Sequence, residues 1–359
     1  MKLKVAIVGT QGLPNKYGGF ETLVEYLTKY LSEEFELTVF CSSKIYPERI
    51  KYYNNSKLRY LPFHANGFQS VIYDSLSLLL SIRYDKILIL GSSGGLIMPL
   101  LKPFRKKFIL NFGGLDWQRS KWGNFQQEFL KLSEELAIRN SAILVADNEG
   151  IYHYITEKYK RDSHIIEYGG DQVTYEKITK VDIGKYPFLN SSYAFSVARI
   201  QPDNNIDLVL EAFENQATMQ MVFVGNWQNS KYGKDLKEKY TNHKNIILLD
   251  AIYDMTELNL LRSNCKIYIH GHSAGGTNPS LVEAMNLGLP IICYSSNYNK
   301  YTTESKALYF ENKNELTELI LSISDATLKE EGILMYEIAK RRYQWKIIAE
   351  KYAKLIRNK

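Results

Sequence analysis

Short apolar runs alternate with longer amphipathic stretches along almost the whole chain. The runs are rich in Val, Ile and Leu and read as continuously apolar, as strands of a parallel sheet do when both faces are buried. The stretches between them place apolar residues three or four positions apart, which is typical of helices lying on a sheet. This alternation predicts an α/β fold with doubly wound parallel sheets. The predicted strands are residues 5–8, 37–41, 58–62, 86–90, 108–112, 142–146, 165–168, 193–197, 221–224, 246–249, 266–269, 291–294 and 307–310.

The alternation occurs in two series, which predicts two Rossmann-like domains. Residues 1–172 form the predicted N-terminal domain, and residues 173–190 are the linker. Residues 191–335 form the predicted C-terminal domain, and residues 336–359 a basic terminal helix that packs back on the N-terminal domain. Because ligands bind at the carboxyl ends of parallel strands, we expect the two domains to face each other across a cleft.

Composition and charge limit the classes of function. The chain has 359 residues, 45% of them hydrophobic, and a net charge of +6. That charge permits an anionic substrate or an anionic membrane surface and does not require nucleic acid. The three cysteines are far apart, so no disulfide framework or zinc site is expected and a reducing cytoplasm fits best. No apolar run approaches the length of a membrane span; the longest, Leu76 to Ile82, is either a buried helix or an interfacial patch.

The sequence of residues 270–290 is typical of a loop that leads into a helix between two strands. Asn278 or Ser280 can cap the helix, and Pro279 suits its first turn, where a missing N–H costs nothing. Gly288 is expected to end it.

This segment is a candidate phosphate site. Gly275 and Gly276 open a flexible turn at a helix N-terminus, where backbone N–H groups and the helix dipole attract anions. Glu283, about one turn into the helix, can accept hydrogen bonds from a ribose. The alternative is an ordinary turn with a surface glutamate.

The glycines after the first strand do not form a dinucleotide fingerprint. Gly9 and Gly12 have the wrong spacing, and the second strand ends in Cys41 without an acidic residue for an adenosine ribose. NAD binding is therefore not expected. Gly18 and Gly19 either allow close approach to a phosphate or form a tight turn between strand and helix.

Several motifs occur in an order that resembles a known family. The chain resembles GT-B glycosyltransferases of family 4, and within them the bacterial rhamnosyltransferases of capsule and cell-wall polysaccharide synthesis. The segments that carry the resemblance are 12–14 with 17–21, 114–122, 198–205, 223–227 and 275–283.

The resemblance implies retaining transfer of a hexose from a nucleoside-diphosphate sugar. It also implies that residues 1–172 are the acceptor-side domain and that residues 191–335 are the nucleotide-sugar-binding domain. The implied donor is dTDP-L-rhamnose, and the implied acceptor is a sugar hydroxyl of a lipid-linked polysaccharide precursor. No metal and no cofactor are expected; His270 and His272 lack a third ligand in the sequence. The implied location is the cytoplasm, with peripheral attachment to the inner face of the plasma membrane through a long basic helix from about Leu334 to Arg357 or, alternatively, with that helix simply packed.

Three departures from the family pattern are visible. Gly275 stands where the family has the first of two glutamates, and Asn204 stands where it has a lysine beside Arg199. Asp116 lies where the family often has a histidine. We interpret these as differences of the branch, with a UDP- or GDP-sugar transferase or an inactive sugar-nucleotide-binding module as the alternatives.

The resemblance assigns roles to particular residues. Asp116, Arg199 and Glu283 are the catalytic candidates, although Asp116 could equally cap a turn. Tryptophans in the acceptor set could also serve packing between domains, and Lys231 or Lys234 could add charge near the phosphates or be solvated loop residues. The donor-binding candidates are Gly18, Gly19, Arg199, Asn204, Asn226, Tyr253, Gly275, Gly276, Thr277, Asn278, Ser280 and Glu283, and the acceptor-binding candidates are Glu21, Trp117, Arg119, Lys121 and Trp122.

Overall fold

The computed structural model describes residues 2–16, 18–115, 117, 123–214 and 218–358. The chain divides into two compact units. Unit 1 consists of Met1–Tyr168 together with Trp345–Lys359, and unit 2 is Gly169–Gln344.

Unit 1 contains a sheet of eight strands in the order β3-β4-β2-β1-β5-β6-β7-β8. Every pairing is parallel except that of β3 with β4. The strands are β1 (Lys4–Val8), β2 (Glu36–Ser42), β3 (Tyr52–Tyr53), β4 (Ser56–Leu61), β5 (Lys86–Leu90), β6 (Phe108–Asn111), β7 (Ile143–Ala146) and β8 (His164–Ile165).

Helices connect the strands of unit 1, as parallel pairing requires. The connection from β1 leads to β2 on one side of the sheet, and the connection from β5 leads to β6 on the other side. The strand order therefore reverses between β1 and β5, which are neighbours in the sheet. The helices are α1 (Gly19–Leu31), α2 (Gln69–Ser81), α3 (Asn124–Asn140) and α4 (Glu149–Tyr159), with 3₁₀ turns at Gly95–Ile97 and Lys102–Lys107.

Unit 2 contains a six-stranded, all-parallel sheet in the order β11-β10-β9-β12-β13-β14. Its four inner strands are almost entirely buried, whereas the edge strands β11 and β14 are partly exposed. Trp227, which is 0% exposed, packs in the core beside the sheet. The strands are β9 (Tyr193–Val197), β10 (Gln220–Val224), β11 (Ile246–Leu249), β12 (Ile267–His270), β13 (Ile291–Tyr294) and β14 (Leu308–Phe310).

The helices of unit 2 alternate with these strands. They are α5 (Lys180–Lys185), α6 (Ile206–Phe213), α7 (Lys231–Tyr240), α8 (Met255–Ser263), α9 (Pro279–Asn286), α10 (Asn297–Thr302), α11 (Lys313–Ser322) and α12 (Asp325–Arg342), with 3₁₀ turns at Pro187–Asn190, Pro202–Asn204 and Trp227–Asn229. The predicted class, two α/β domains with parallel sheets, is therefore confirmed.

The prediction of one long terminal helix from Leu334 to Arg357 is wrong, because the helix ends at Arg342. The Tyr343 carbonyl accepts a hydrogen bond from the Gly170 N–H at 2.9 Å, which takes it out of the helical ladder. A new helix, α13 (Trp345–Arg357), follows.

Helix α13 belongs to unit 1 and packs against it through its apolar side. The Trp345 ring stacks on Tyr26 with 4.6 Å between ring centroids. Asn111 Nδ2 donates to the Tyr352 hydroxyl at 2.6 Å, and the Arg357 guanidinium pairs with Glu34. The apolar face of this helix is thus used inside unit 1.

Several elements differ from the prediction. Helices α4 and α7 were not predicted, and Lys231 and Lys234 lie in the first turn of α7 rather than in a loop. The run predicted as a strand over 165–168 is a strand only at His164–Ile165. The stretch predicted as a linker contains α5 and a 3₁₀ turn and lies within unit 2.

Candidate functional site

The strand order of unit 2 locates its ligand-binding edge. The connections from β9 and from β12 run to opposite sides of the sheet, so the carboxyl ends of these neighbouring strands form a switch point, the place where open α/β sheets bind ligands in a crevice. Those loops are residues 198–205 and 271–278. They contain six of the twelve predicted donor-binding residues.

Hydrogen bonds join these two loops. The Ser273 backbone N–H and hydroxyl both donate to the Asp203 carbonyl at 2.9 Å. Asn205 Nδ2 donates to the Gly271 carbonyl at 2.8 Å. A Cβ at Gly271 would lie 2.2 Å from the Asn204 carbonyl oxygen, so only glycine permits this approach of the two backbones.

Asn204, at the position of the family's lysine, lies inside this junction and is 7% exposed. Its Nδ2 donates to the Arg199 carbonyl at 2.8 Å. Its Oδ1 lies 2.8 Å from His272 Nδ1, which must then carry the proton. The Asn204 side chain therefore holds the Arg199 backbone and the His272 ring. The Arg199 side chain itself is exposed at the carboxyl end of β9.

The glycine loop leads into α9 as the sequence predicts. Asn278 is the N-cap, and its Oδ1 accepts from the Ser280 N–H at 3.1 Å. Gly275 has φ +96, a conformation that disfavours the glutamate found there in the family. Because Pro279 has no N–H and that of Ser280 is bonded to the cap, the backbone donors that this segment can offer an anion are those of residues 275–278.

Glu283 is held by an ion pair and by a hydrogen bond from other parts of unit 2. The buried Arg262, 1% exposed, lies with Nη1 2.7 Å from Glu283 Oε2, and the Glu283 side chain is 13% exposed. Gln172 Nε2 donates to Glu283 Oε1 at 2.6 Å. A carboxylate can accept further hydrogen bonds beyond these two, so a ribose contact remains chemically available.

The sequence analysis did not identify Arg262 or Gln172. The one signal available was a basic residue in the last turn of α8, immediately before β12. That position ordinarily indicates interaction with the helix C-terminus.

His270 ends β12 beneath the same loops and is 4% exposed. Burial of the ring, together with the smaller effect of His272, lowers the pKa of His270 to about 3, so the imidazole is neutral. His270 therefore adds no positive charge to the crevice. Among the residues that the structure describes, no group of three or more His, Cys, Asp or Glu could hold a metal ion.

The remaining donor-binding candidates of unit 2 lie at neighbouring strand ends. Asn226 follows β10 and is exposed, whereas the adjacent Trp227 is buried and donates from Nε1 to the Leu249 carbonyl at 2.8 Å. Tyr253 follows β11 and is 66% exposed. Thr277 is 5% exposed.

In unit 1 the loop after β1 is held by Glu21, which is 6% exposed. Its Oε1 accepts from the Thr10 hydroxyl at 3.0 Å and from the Gln11 N–H at 2.7 Å. Gly18 is the N-cap of α1 with φ +127, and a Cβ there would lie 2.1 Å from Glu21 Oε2. Gly19 begins the helix. The two glycines thus make the tight turn that lets Glu21 fold back on the loop.

Trp117, among the acceptor-binding candidates, is partly exposed in unit 1. Lys131 Nζ lies 4.8 Å and Lys158 Nζ 5.4 Å from its ring centroid, which makes two cation–π contacts. The candidates Asp116, Arg119, Lys121 and Trp122 lie outside the described residues, and their roles stay predictions.

Two family models match the chain. Residues 2–171 match a domain of unknown function, DUF1972. Residues 182–334 match the model described as glycosyl transferases group 1. The second match contains all of the crevice loops described for unit 2.

The chain is also similar to known proteins. It is 26% identical to protein CapJ of Staphylococcus aureus over 280 residues, which are 73% of this chain and 68% of that protein. Sucrose-phosphate synthase of Thermosynechococcus elongatus superposes with TM-score 0.82 at 16% identity, over 99% of this chain and 98% of the other. Anabaena HepE in complex with UDP-glucose superposes with TM-score 0.73 at 15% identity, over 98% of each chain.

These likenesses confirm the predicted glycosyltransferase fold and class. The donor sugar, the acceptor, family 4 and the rhamnosyltransferase branch stay predictions. Residues 182–334, which carry the loops after β9 and β12, are the part of this chain that is similar to the glycosyl transferases group 1 family.

Proposed function

We propose that the chain transfers a hexose, with retention of configuration, from a nucleoside-diphosphate sugar to a hydroxyl of a lipid-linked saccharide. The observation that carries this proposal is the junction of the loops after β9 and β12 in unit 2. It brings Arg199, the glycine loop before α9 and Glu283 to the switch point of one sheet. That sheet lies in the segment matched by the glycosyltransferase model.

The proposed chemistry depends on stabilising a leaving group. The bond between the anomeric carbon and the diphosphate breaks while the acceptor oxygen bonds to that carbon, and the acceptor hydroxyl gives up its proton, which the departing diphosphate oxygen can take up. Arg199 can contact the phosphates in bidentate fashion, and the N-terminus of α9 adds roughly half a positive charge. Such preorganised positive groups act where negative charge grows in the transition state. In this proposal they replace a metal ion, so turnover should persist in EDTA.

Glu283 is proposed to hold the ribose. Its carboxylate is kept in place by Arg262 and Gln172, and preorganisation of this kind lowers the cost of ordering a bound ligand. Asp116 and Glu21 remain the candidates for contact with the reacting sugar or the acceptor, with Trp117, Arg119, Lys121 and Trp122 around the acceptor.

The donor is proposed to be dTDP-L-rhamnose and the acceptor a capsule or cell-wall precursor on a lipid carrier. The family resemblance of the motifs supports this choice, and the similarity to protein CapJ agrees with a role in capsule synthesis. The complex of Anabaena HepE with UDP-glucose favours a UDP-sugar as the second candidate donor.

A thermal-shift panel of dTDP-, UDP-, GDP- and ADP-sugars, followed by product analysis with the best ligand, tests the proposal. We expect one nucleotide class to raise the melting temperature and to be turned over. A chain that binds the nucleotide without releasing sugar from it is the inactive module that Gly275 and Asn204 suggest. A chain that binds none of the four contradicts the proposal.

A further inference from the structure

Helix α2 is oriented with apolar side chains toward solvent. Phe68 at its N-cap is 82% exposed, Ile72 44% and Leu79 40%. Together with Leu76 they follow helical spacing and form one stripe, here called the α2 stripe. The residues buried on the opposite side are Tyr73, Asp74, Ser77, Leu78 and Ser81. An ordinary surface helix would have the reverse distribution.

Specific contacts fix this orientation. The Tyr73 hydroxyl donates to the Thr10 carbonyl at 2.9 Å, and Asp74 accepts a hydrogen bond from Ser93. The Ser77 hydroxyl donates to the Tyr73 carbonyl at 2.7 Å, so its burial leaves no unsatisfied hydroxyl. Rotation of α2 to bury the stripe would break the contacts of Tyr73 with Thr10 and of Asp74 with Ser93.

A basic segment lies beside the C-terminal end of α2. Lys107 Nζ donates to the carbonyls of Ile82 at 2.7 Å and Tyr84 at 2.8 Å. This anchors the 3₁₀ turn Lys102–Lys107, which follows the exposed Leu100 (79%). The exposed cations of this region are Arg83, Lys102, Arg105 and Lys106.

Charge is concentrated in this part of the chain. Residues 62–107 contain six Lys or Arg and two Asp, a net +4 out of the +6 of the whole chain. Of the two aspartates, Asp74 is buried and Asp85 accepts a hydrogen bond from the Lys4 N–H. The α2 stripe therefore has a segment of net positive charge at its C-terminal end.

We propose that the α2 stripe and the adjacent basic segment form a docking surface for an anionic phospholipid bilayer. Apolar side chains beside Lys and Arg suit the boundary between headgroups and acyl chains, and each cation is attracted by the negative surface potential. A second copy of the chain fits less well, because a symmetric contact brings two basic segments together. No described helix is long and apolar enough to cross a membrane, so this surface lies on the bilayer.

The test is flotation of the full chain with vesicles of pure phosphatidylcholine or of an equimolar mixture with phosphatidylglycerol. The parent should bind the anionic vesicles and lose that binding in high salt. Ile72→Ser with Leu79→Ser, and separately Arg105→Gln with Lys106→Gln, should each weaken binding about tenfold or more. No donor or acceptor is needed, so the result is independent of the sugar-transfer proposal.

Matched controls lie in unit 2. Leu321→Ser with Ile333→Ser removes side chains that are 57% and 50% exposed, and Lys177→Gln with Lys180→Gln removes two exposed cations. These variants should bind vesicles as the parent does, and all variants should keep the parent's melting temperature. The proposal is overturned if the parent ignores anionic vesicles, if the controls lose as much binding as the test pairs, or if the stripe variant only dissociates a dimer.

Discussion

The ion pair between Arg262 and Glu283 predicts that substitution of either residue lowers the unfolding free energy of unit 2 strongly, and by different amounts. Glu283→Gln leaves a guanidinium that is 1% exposed without its counter-charge, which should cost unit 2 about 3–5 kcal/mol of unfolding free energy. Arg262→Met leaves a carboxylate that is 13% exposed and still bonded to Gln172. Because that carboxylate can recruit water, the second change should cost less, about 2–3 kcal/mol.

A double-mutant cycle isolates the interaction. The variant with both substitutions has no stranded charge, so it should be more stable than the sum of the single effects predicts, by about 2 kcal/mol or more. Urea-dependent hydrogen exchange of peptides from α8, β12 and α9 measures the stability of unit 2 by itself. Gln172→Leu, which keeps the ion pair, is the control and should cost about 1–2 kcal/mol.

The same variants connect the pair to nucleotide binding. If Arg262 positions Glu283 for a ribose, Arg262→Met should weaken nucleotide binding on the order of tenfold, or about 1.4 kcal/mol. The reasoning is refuted if the single effects add within about 0.5 kcal/mol. The positioning role alone is refuted if Arg262→Met binds nucleotide as tightly as the parent while the coupling is present.

Three further outcomes follow. Burial raises the pKa of Glu331 from 4.5 to about 8, so the folded protein retains a proton that the unfolded chain releases, and stability should fall as pH rises through that range. The stability of Glu331→Gln should not fall in this pH range. Above about pH 8 its free energy of unfolding should exceed that of the parent by on the order of 3–5 kcal/mol, which urea denaturation at several pH values measures. Gly18→Ala places a Cβ on Glu21 and should cost about 2–4 kcal/mol, whereas Gly67→Ala, also at positive φ but with nothing within 4 Å, should cost about 1–2 kcal/mol; equal losses would contradict the Glu21 contact. Arg199→Ala should lower the turnover of the preferred donor about 100-fold without changing the melting temperature, and Arg199→Lys should recover part; unchanged turnover would remove Arg199 from the leaving-group site.

Local signals made the fold and the loop before α9 predictable. Buried parallel strands are visible in the sequence as apolar runs. The start and the end of α9 depend on Asn278, Pro279 and Gly288, which lie within a few positions of the helix. Longer-range features were not predictable from spacing. The contact between Arg262 and Glu283 depends on how α8 and α9 each lie against β12, which no local pattern encodes.

One alternative that the sequence left open and one wrong prediction have similar causes. The sequence around Leu76 does not determine which side of the helix is buried. Contacts of Tyr73 and Asp74 with distant loops determine it instead. The break at Tyr343 was missed because the pattern on either side is helical, and the hydrogen bond that interrupts it comes from Gly170, far away in the sequence.

The order of synthesis has a consequence for this chain, because the last helix, with Trp345 on Tyr26, completes unit 1 rather than unit 2. All of Gly169–Gln344 is translated between the two pieces of unit 1. Until the residues of α13 have been made, unit 1 keeps an uncovered apolar groove that chaperones can shield.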